Sequence, residues 1–207
     1  VAVVTSLPDA QEIGVDLAAW RGWFAEAAEL AMGAAAPTLP AILYQTDRKA
    51  AGALHSKAAL VLAAAERAGL RVLWHKIVCR RPAGAVDLHR PGYSHLIAVS
   101  RVGRPGAALP DVLPPSRVVY ENGMALGAAL LTVRFCQRAG ARLVLDPFCG
   151  RGTVLAAAEH CGLEALGIDI DPAQCDAARA LRLQRRRGAT GSETGEPEAV
   201  GRGVGGA

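Results

Sequence analysis

The residues best equipped for chemistry lie late in the chain, in Asp146-Pro-Phe-Cys-Gly-Arg-Gly-Thr153 and in Leu166-Gly-Ile-Asp-Ile-Asp-Pro172. Leu143, Val144 and Leu145 read as a buried strand that ends in a carboxylate and a glycine-rich turn, with a helix over Val154–His160 behind it. The second run reads as another apolar strand ending in Asp169. Glycines let the backbone approach a ligand closely, a helix N-terminus faces it, and a carboxylate at the next strand tip takes ribose hydroxyls. That is a cradle for a nucleotide-type cofactor. Only Gly150 and Gly152 are present, without the third glycine of the dinucleotide fingerprint, which speaks against a nicotinamide cofactor.

The run Asp146–Thr153 resembles the Asp-Pro-Phe-x-Gly-x-Gly-Thr motif of class I S-adenosylmethionine-dependent methyltransferases, in particular those that methylate amino groups of nucleic acids. The resemblance implies S-adenosyl-L-methionine as cofactor. Asp146, Gly150 and Gly152 would then contact its methionine end, with Phe148 packed beside it, Cys149 and Thr153 completing the turn, and Asp169 taking the ribose. Asn122, Gly123 and Met124 stand where the family covers the methionine end, although Asn122 is equally suited to capping a helix. The third strand, which helps hold the adenine in that family, has no clear counterpart, and the segment Ile170–Cys175 is the candidate to replace it.

Such a cradle normally opens a methyltransferase, and here it comes last, so the target half is expected upstream. Val1-Ala-Val-Val-Thr5 reads as a short β-branched strand running into Ser6-Leu-Pro-Asp9. This resembles, in degenerate form, the Asp/Asn/Ser-Pro-Pro-Tyr/Phe motif whose polar side chain and a main-chain carbonyl accept hydrogen bonds from the substrate amine. Ser6 and Pro8 fit the pattern; Leu7 replaces a proline, and Asp9 stands where an aromatic would stack on the base. Asp9 could instead grip a polar substrate or accept a proton. A target motif first and a cofactor motif last is the order of circularly permuted methyltransferases.

The remaining elements must position these motifs. Apolar spacing predicts a helix over Leu17–Met32 with Asp16 as N-cap, a strand at Ala41–Gln45 and a helix over Lys57–Ala68. Strands are expected at Arg71–Cys79 and Leu96–Ser100, as antiparallel neighbours, and a helix at Met124–Ala139. Alternating strands and helices imply an α/β, Rossmann-like and mostly parallel sheet with an antiparallel edge pair. One domain over residues 1–187 is expected, with a target half at 1–102, a linker at 103–121 and a cofactor half at 122–187. Residues 188–207 read as a disordered tail.

Charge is modest, at +4 with pI ≈ 9.0, but uneven. Arg71, His75, Lys76, Arg80, Arg81, His89 and Arg90 are interleaved with Trp74 and Tyr93, a composition that can track phosphates and stack a base. Arg179, Arg182, Arg185, Arg186 and Arg187 read more simply as a solvated helix end. On the target side, Gln45, Asp47, Lys57, His75, Lys76, Tyr93 and His95 are the candidate substrate residues. No stretch has the length of a membrane span, and no basic and apolar leader precedes the first strand. Five cysteines without a CxxC pair argue against a disulfide framework and a zinc site. The reading is a cytoplasmic, metal-free enzyme.

The leading expectation is methyl transfer to a nitrogen of an RNA base, in tRNA or rRNA, because no large insert offers a DNA target-recognition domain. A protein partner or a homodimer is compatible with so short a chain. Two alternatives remain: a small-molecule methyltransferase with a pocket walled by Trp20, Trp23 and Trp74, and a non-catalytic subunit of a methyltransferase complex.

Overall fold

The computed structural model describes residues 1–50, 52–88, 90–106, 109–184 and 198–201. Its elements in chain order are β1 (Ala2–Thr5), α1 (Ala10–Ile13), α2 (Leu17–Gly33), β2 (Ala41–Gln45), β3 (Arg48–Ala50), β4 (Ala53–His55) and α3 (Lys57–Arg67). There follow β5 (Arg71–Cys79), β6 (Tyr93–Ser100), β7 (Val112–Leu113), α4 (Leu126–Arg138), β8 (Leu143–Asp146), α5 (Thr153–His160), β9 (Glu164–Gly167), α6 (Pro172–Ala180), β10 (Leu181–Gln184) and β11 (Glu198–Gly201).

Seven strands form one sheet in the order β7-β5-β6-β2-β1-β8-β9. The pairs β1–β2, β1–β8, β8–β9 and β5–β7 are parallel, while β2–β6 and β5–β6 are antiparallel. The expected antiparallel neighbours are thus β5 and β6, although the two-residue β7, too short to leave a sequence signal, forms the outer edge. Most consequential is the seat of β1. The first strand of the chain lies between β2 and β8, so Ala2 and Val3 are registered against Val144 and Leu145.

Alternation along the strands sends successive side chains to opposite faces. Ala2, Val4, Ile42, Leu96 and Val144 pack with α4 and α5 in one core, whereas Val3, Leu43, Ile97 and Val99 pack with Trp20 and Phe24 of α2 and Val61 of α3 in the other. Asp16 caps α2 as its sequence position suggests, accepting from the Ala19 amide at 2.8 Å. Because both faces are covered, β1, β2 and most of β6 are buried throughout, and near-continuous apolar runs identify them.

Three departures from expectation bear on the site. β9 ends at Gly167, so Asp169 lies in the loop beyond the strand. The last helix before the cofactor strand starts at Leu126, with Ala125 as its N-cap, so Asn122 does not cap it. After α6 the chain does not add a strand to the sheet: β10 pairs antiparallel with β11, inside the span expected to be disordered. Glu198–Gly201 is too short and too irregular in pattern to signal a strand; a neighbouring strand supplies the hydrogen bonds. The rest of the tail, together with His89, Arg185, Arg186 and Arg187, lies outside the described residues. Among those described, no strand pairs with the outer edge of β9, and no helix is long and apolar enough to cross a membrane.

Candidate cofactor and target site

The ends of β1, β8 and β9 create the site, at the carboxyl edge where parallel sheets of this kind take ligands. Beyond β8 the chain stays locked to β9's exit: Ile168 N donates to Asp146 O at 3.0 Å and Cys149 N to Ile168 O at 2.9 Å. Gly152 then opens α5 with φ +83°, and a Cβ there would stand 2.7 Å from Ala178 Cβ of α6. Only glycine meets both the backbone conformation and the close helix approach. Gly167 has a packing role that the sequence did not reveal, since a Cβ would collide with Leu155 and Cys149.

Asp146 is 3% exposed. It accepts from Thr5 Oγ1 at 2.7 Å and from Phe148 N at 3.2 Å. Burial pushes its carboxyl up to about 7, against those two hydrogen bonds, and the charge of Asp169 adds to the rise. Thr5 was missed in sequence, where it is merely the last residue of an apolar strand. Its position beside a strand that ends in a carboxylate becomes meaningful only once β1 is known to neighbour β8.

Asp169 braces the turn: its Oδ2 accepts from Gly150 N at 2.9 Å and its Oδ1 from Asp171 N at 2.9 Å. Just past it, Ile170 is 97% exposed, an apolar side chain standing free beside the cradle. Burial, with the nearby carboxylates, pushes the Cys149 thiol up to about 12, so it stays protonated and is no nucleophile. Of the covering segment, Met124 is packed into the core and Asn122, at φ +62°, accepts from Arg90 Nη1 at 2.8 Å. The side chain that meets the turn is Tyr120, which no sequence signal singled out. Its hydroxyl accepts from Arg151 N at 3.2 Å, and its ring lies 5.7 Å from the Arg151 guanidinium.

In the target motif, Ser6 is exposed at the tip of β1 while Leu7 is buried in the α2 face core. Pro8 O accepts from Trp20 Nε1 at 3.1 Å. Asp9 is engaged on two sides: its amide donates to Glu12 Oε2 at 2.6 Å, and its carboxylate pairs with buried Lys57 Nζ at 2.6 Å. Phe148 meets Trp23 edge-on, with centroids 6.0 Å apart, which joins the cofactor turn to α2.

Five of the candidate substrate residues gather in one cluster. Asp47 Oδ1 accepts from Lys57 N at 2.8 Å at the start of α3, and Asp47 Oδ2 lies 3.1 Å from His95 Nε2. His95 Nδ1 lies 2.9 Å from His75 Nε2, and Tyr93 packs edge-on against His95 at 5.3 Å. Burial pushes the Asp47 carboxyl up, but the His95 bond and charge and the α3 amides prevail and hold it below its ordinary value. Burial and then His95 lower the His75 imidazole, with Asp47 opposing. Gln45 sits beside this group at the tip of β2, registered with His95, with its side-chain amide buried and neither polar atom paired among the described residues.

Lys76 does not join them. Its ammonium is bonded to Leu109 O and Asp111 Oδ1, each at 3.0 Å, ahead of β7. The basic stretch is similarly divided, with Arg71 bonded to Gly103 O, Arg81 paired with Asp87 and Arg90 on Asn122. Arg179 pairs with Asp176 at the end of α6, in keeping with a solvated helix end, whereas Arg182 lies on β10 and pairs with Glu159 of α5. The tryptophans do not wall one pocket, because Trp20 is fully buried and Trp74 packs on Phe135. A cavity of about 350 Å³ lies instead at the opposite end of the strands, lined by Thr38, Leu73, Arg104 and Phe135. Among the described residues, no group of three or more His, Cys, Asp or Glu could hold a metal ion.

The geometry defines a Rossmann-like methyltransferase fold. A DNA methylase family profile matches residues 139–180, the span from the end of α4 through the cofactor turn to α6. A Thermus thermophilus protein assigned as a DNA modification methylase, solved with S-adenosyl-L-methionine, superposes with TM-score 0.65 at 20% identity, covering 86% of this chain and 82% of its own. The PvuII cytosine-N4-specific DNA methyltransferase superposes with TM-score 0.69 at 13% identity, covering 86% of this chain and 77% of its own. The S-adenosylmethionine complex of M1.HpyAVI gives TM-score 0.57 at 16% identity, covering 86% of both chains. No sequence relative emerges among the curated proteins.

Proposed function

We propose that this chain is an S-adenosylmethionine-dependent methyltransferase that methylates an exocyclic amine of a DNA base. The observation that carries it is the 2.7 Å bond from Thr5 to Asp146. It fastens the carboxylate of the cofactor turn to the residue that directly precedes Ser6, so the two halves of the reaction share one strand junction.

The residues present fit the cofactor. Glycine at 150 and 152 keeps the turn free of side chains, no cation among the described residues offsets the burial of Asp146, and Asp169 retains lone pairs beyond the two backbone amides it accepts from. Ile170 offers an apolar face for an adenine ring, and Tyr120 would cover the methionine end. When bound, the cofactor supplies a methyl group already activated on a sulfonium. The chain's own work is therefore positional: Ser6 Oγ and a loop carbonyl accept the amine protons and turn the nitrogen lone pair toward the donor. Asp9, held by Lys57, keeps the loop in shape. The element order, target strand first and cofactor strand late, supports the circularly permuted reading.

The expectation of RNA gives way to DNA. It rested on the lack of a recognition insert, but the matching family profile is that of DNA methylases and the superposed PvuII enzyme is a DNA methyltransferase. The test is transfer of a radiolabelled methyl group into separate DNA, RNA and small-molecule pools. Label as N-methylated base in DNA supports the reading. Label confined to RNA or to small molecules overturns the substrate, and no label with cofactor bound favours a non-catalytic subunit.

A further inference from the structure

We propose that the chain Asp47–His95–His75 is a hydrogen-bond relay that presents His75 Nδ1 as a fixed acceptor for an amino group on a DNA base flanking the target. The proposal rests on the reading of the protein as a DNA methyltransferase.

The direction of the relay follows from its buried end. Asp47 is ionised and can only accept, and its Oδ1 is already occupied by the Lys57 and Ala58 amides at 2.8 and 3.4 Å. Its Oδ2 must therefore receive the proton on His95 Nε2. When both rings are neutral, His95 Nδ1 then carries a lone pair. That lone pair accepts from His75 Nε2–H across 2.9 Å. His75 Nδ1 is left bare, and it has no protein partner among the described residues. His75 is exposed, so the relay runs from a buried carboxylate to solvent and delivers an acceptor there.

The arrangement is more than a satisfied core histidine requires. Positions 97 and 99 on the same face of β6 are Ile and Val, packed in the apolar core, and an apolar side chain at 95 would continue that row. Asp47 also stands at the N-terminus of α3, whose first residue, Lys57, holds Asp9 of the target loop. The relay and the target motif are thus parts of one connected unit.

The sheet order places β6 and β2 between β5 and β1. Three strand spacings of about 4.8 Å separate His75 from Ser6 by roughly 14 Å across the sheet. At about 3.4 Å per nucleotide, that is some four nucleotides from the target base. A neutral imidazole acceptor suits the exocyclic amine of adenine or cytosine, which presents a donor in the major groove.

Asp47→Asn gives a specific test. The α3 amides keep the carbonyl oxygen of the substituted side chain as their acceptor, so its NH₂ group faces His95 Nε2 and donates to it. The whole relay inverts, and His75 Nδ1 becomes a donor with little change in shape. Nitrogen-15 shifts at about pH 8 should report a bare His75 Nδ1 in the native protein and a protonated one in Asp47→Asn. The KM for heterogeneous duplex DNA should rise about tenfold in His75→Ala, the size of one hydrogen bond, and further in Asp47→Asn, where donor would meet donor. Cofactor affinity, read by calorimetry, should be unmoved in both. A protonated Nδ1 in the native protein overturns the relay, and methyl transfer into DNA with unchanged KM in both variants overturns the recognition role alone. No transfer into DNA at all would remove the functional reading on which the ligand depends.

Discussion

Cofactor affinity should depend on pH through Asp146. Its carboxyl titrates near 7 in the folded chain against 3.8 when free, because it is buried and no cation among the described residues offsets that burial. The folded state therefore holds a proton that the unfolded state has released. Stability is highest below about pH 3.8 and falls as pH rises to about 7, by on the order of 4 kcal/mol for a shift of about three units. A cofactor whose methionine end carries positive charge offsets that burial, and so binds the ionised form. With a pKa near 7, the ionised fraction changes such that the dissociation constant at pH 6.0 should be about eightfold that at pH 7.5. Isothermal titration calorimetry across that range, with proton release read from buffers of different ionisation enthalpy, measures both the slope and the released proton. Asp146→Asn should bind weakly at every pH, with the slope gone. Affinity that is flat between pH 6.0 and 7.5, or an equal slope in Asp146→Asn, would refute the argument.

Three further outcomes are expected. Asp169→Ala should weaken cofactor binding at least about tenfold, since it removes the proposed ribose ligand and the partner of Gly150 N; an unchanged dissociation constant would undo the ribose role. Gly152→Ala should destabilise the fold by about 1–3 kcal/mol, measured by urea denaturation, because it combines φ +83° with a contact 2.7 Å from Ala178 Cβ. Asp9→Ala and Lys57→Met should each abolish turnover while cofactor still binds, with the double variant no worse than either, because both break the same pair.

The strand-turn-helix unit around Asp146 was legible in sequence because its hydrogen bonds are local. Asp146, Gly150, Gly152 and Asp169 act within one strand-turn-helix unit and its neighbour, so spacing carries the information. The loop after β1 was legible only in outline. Ser6 and Pro8 followed a degenerate pattern, but the fate of Asp9 depended on a lysine in α3, and nothing in Ser-Leu-Pro-Asp announces Lys57. Thr5 and Tyr120 escaped for the same reason: each acts on a turn distant in the chain. Conversely, Lys76 shared composition and location with His75 yet points to Asp111, since strand neighbours face opposite sides of a sheet. The charge run therefore pooled residues that the pleat separates. The pairing of β10 with β11 was invisible because four residues of no particular pattern become a strand only when a partner is supplied.

The distance in sequence between the bonded halves has a consequence for how the site forms. Thr5 and Asp146 lie 141 residues apart, yet their side chains meet at 2.7 Å in the interior of the site. β1 is an inner strand whose two neighbours, β2 and β8, come from the near and the far parts of the chain. The cofactor turn can form its own hydrogen bonds early, through β8, α5 and β9, which are close in sequence. The carboxylate at its base is completed only when the first strand inserts, and that step pays the entropy of bringing together residues 141 positions apart. A partly folded chain would therefore show the turn without the target loop, and Asp146 without Thr5. The Thr5–Asp146 junction is thus tied to one event, the closing of β1 against β8.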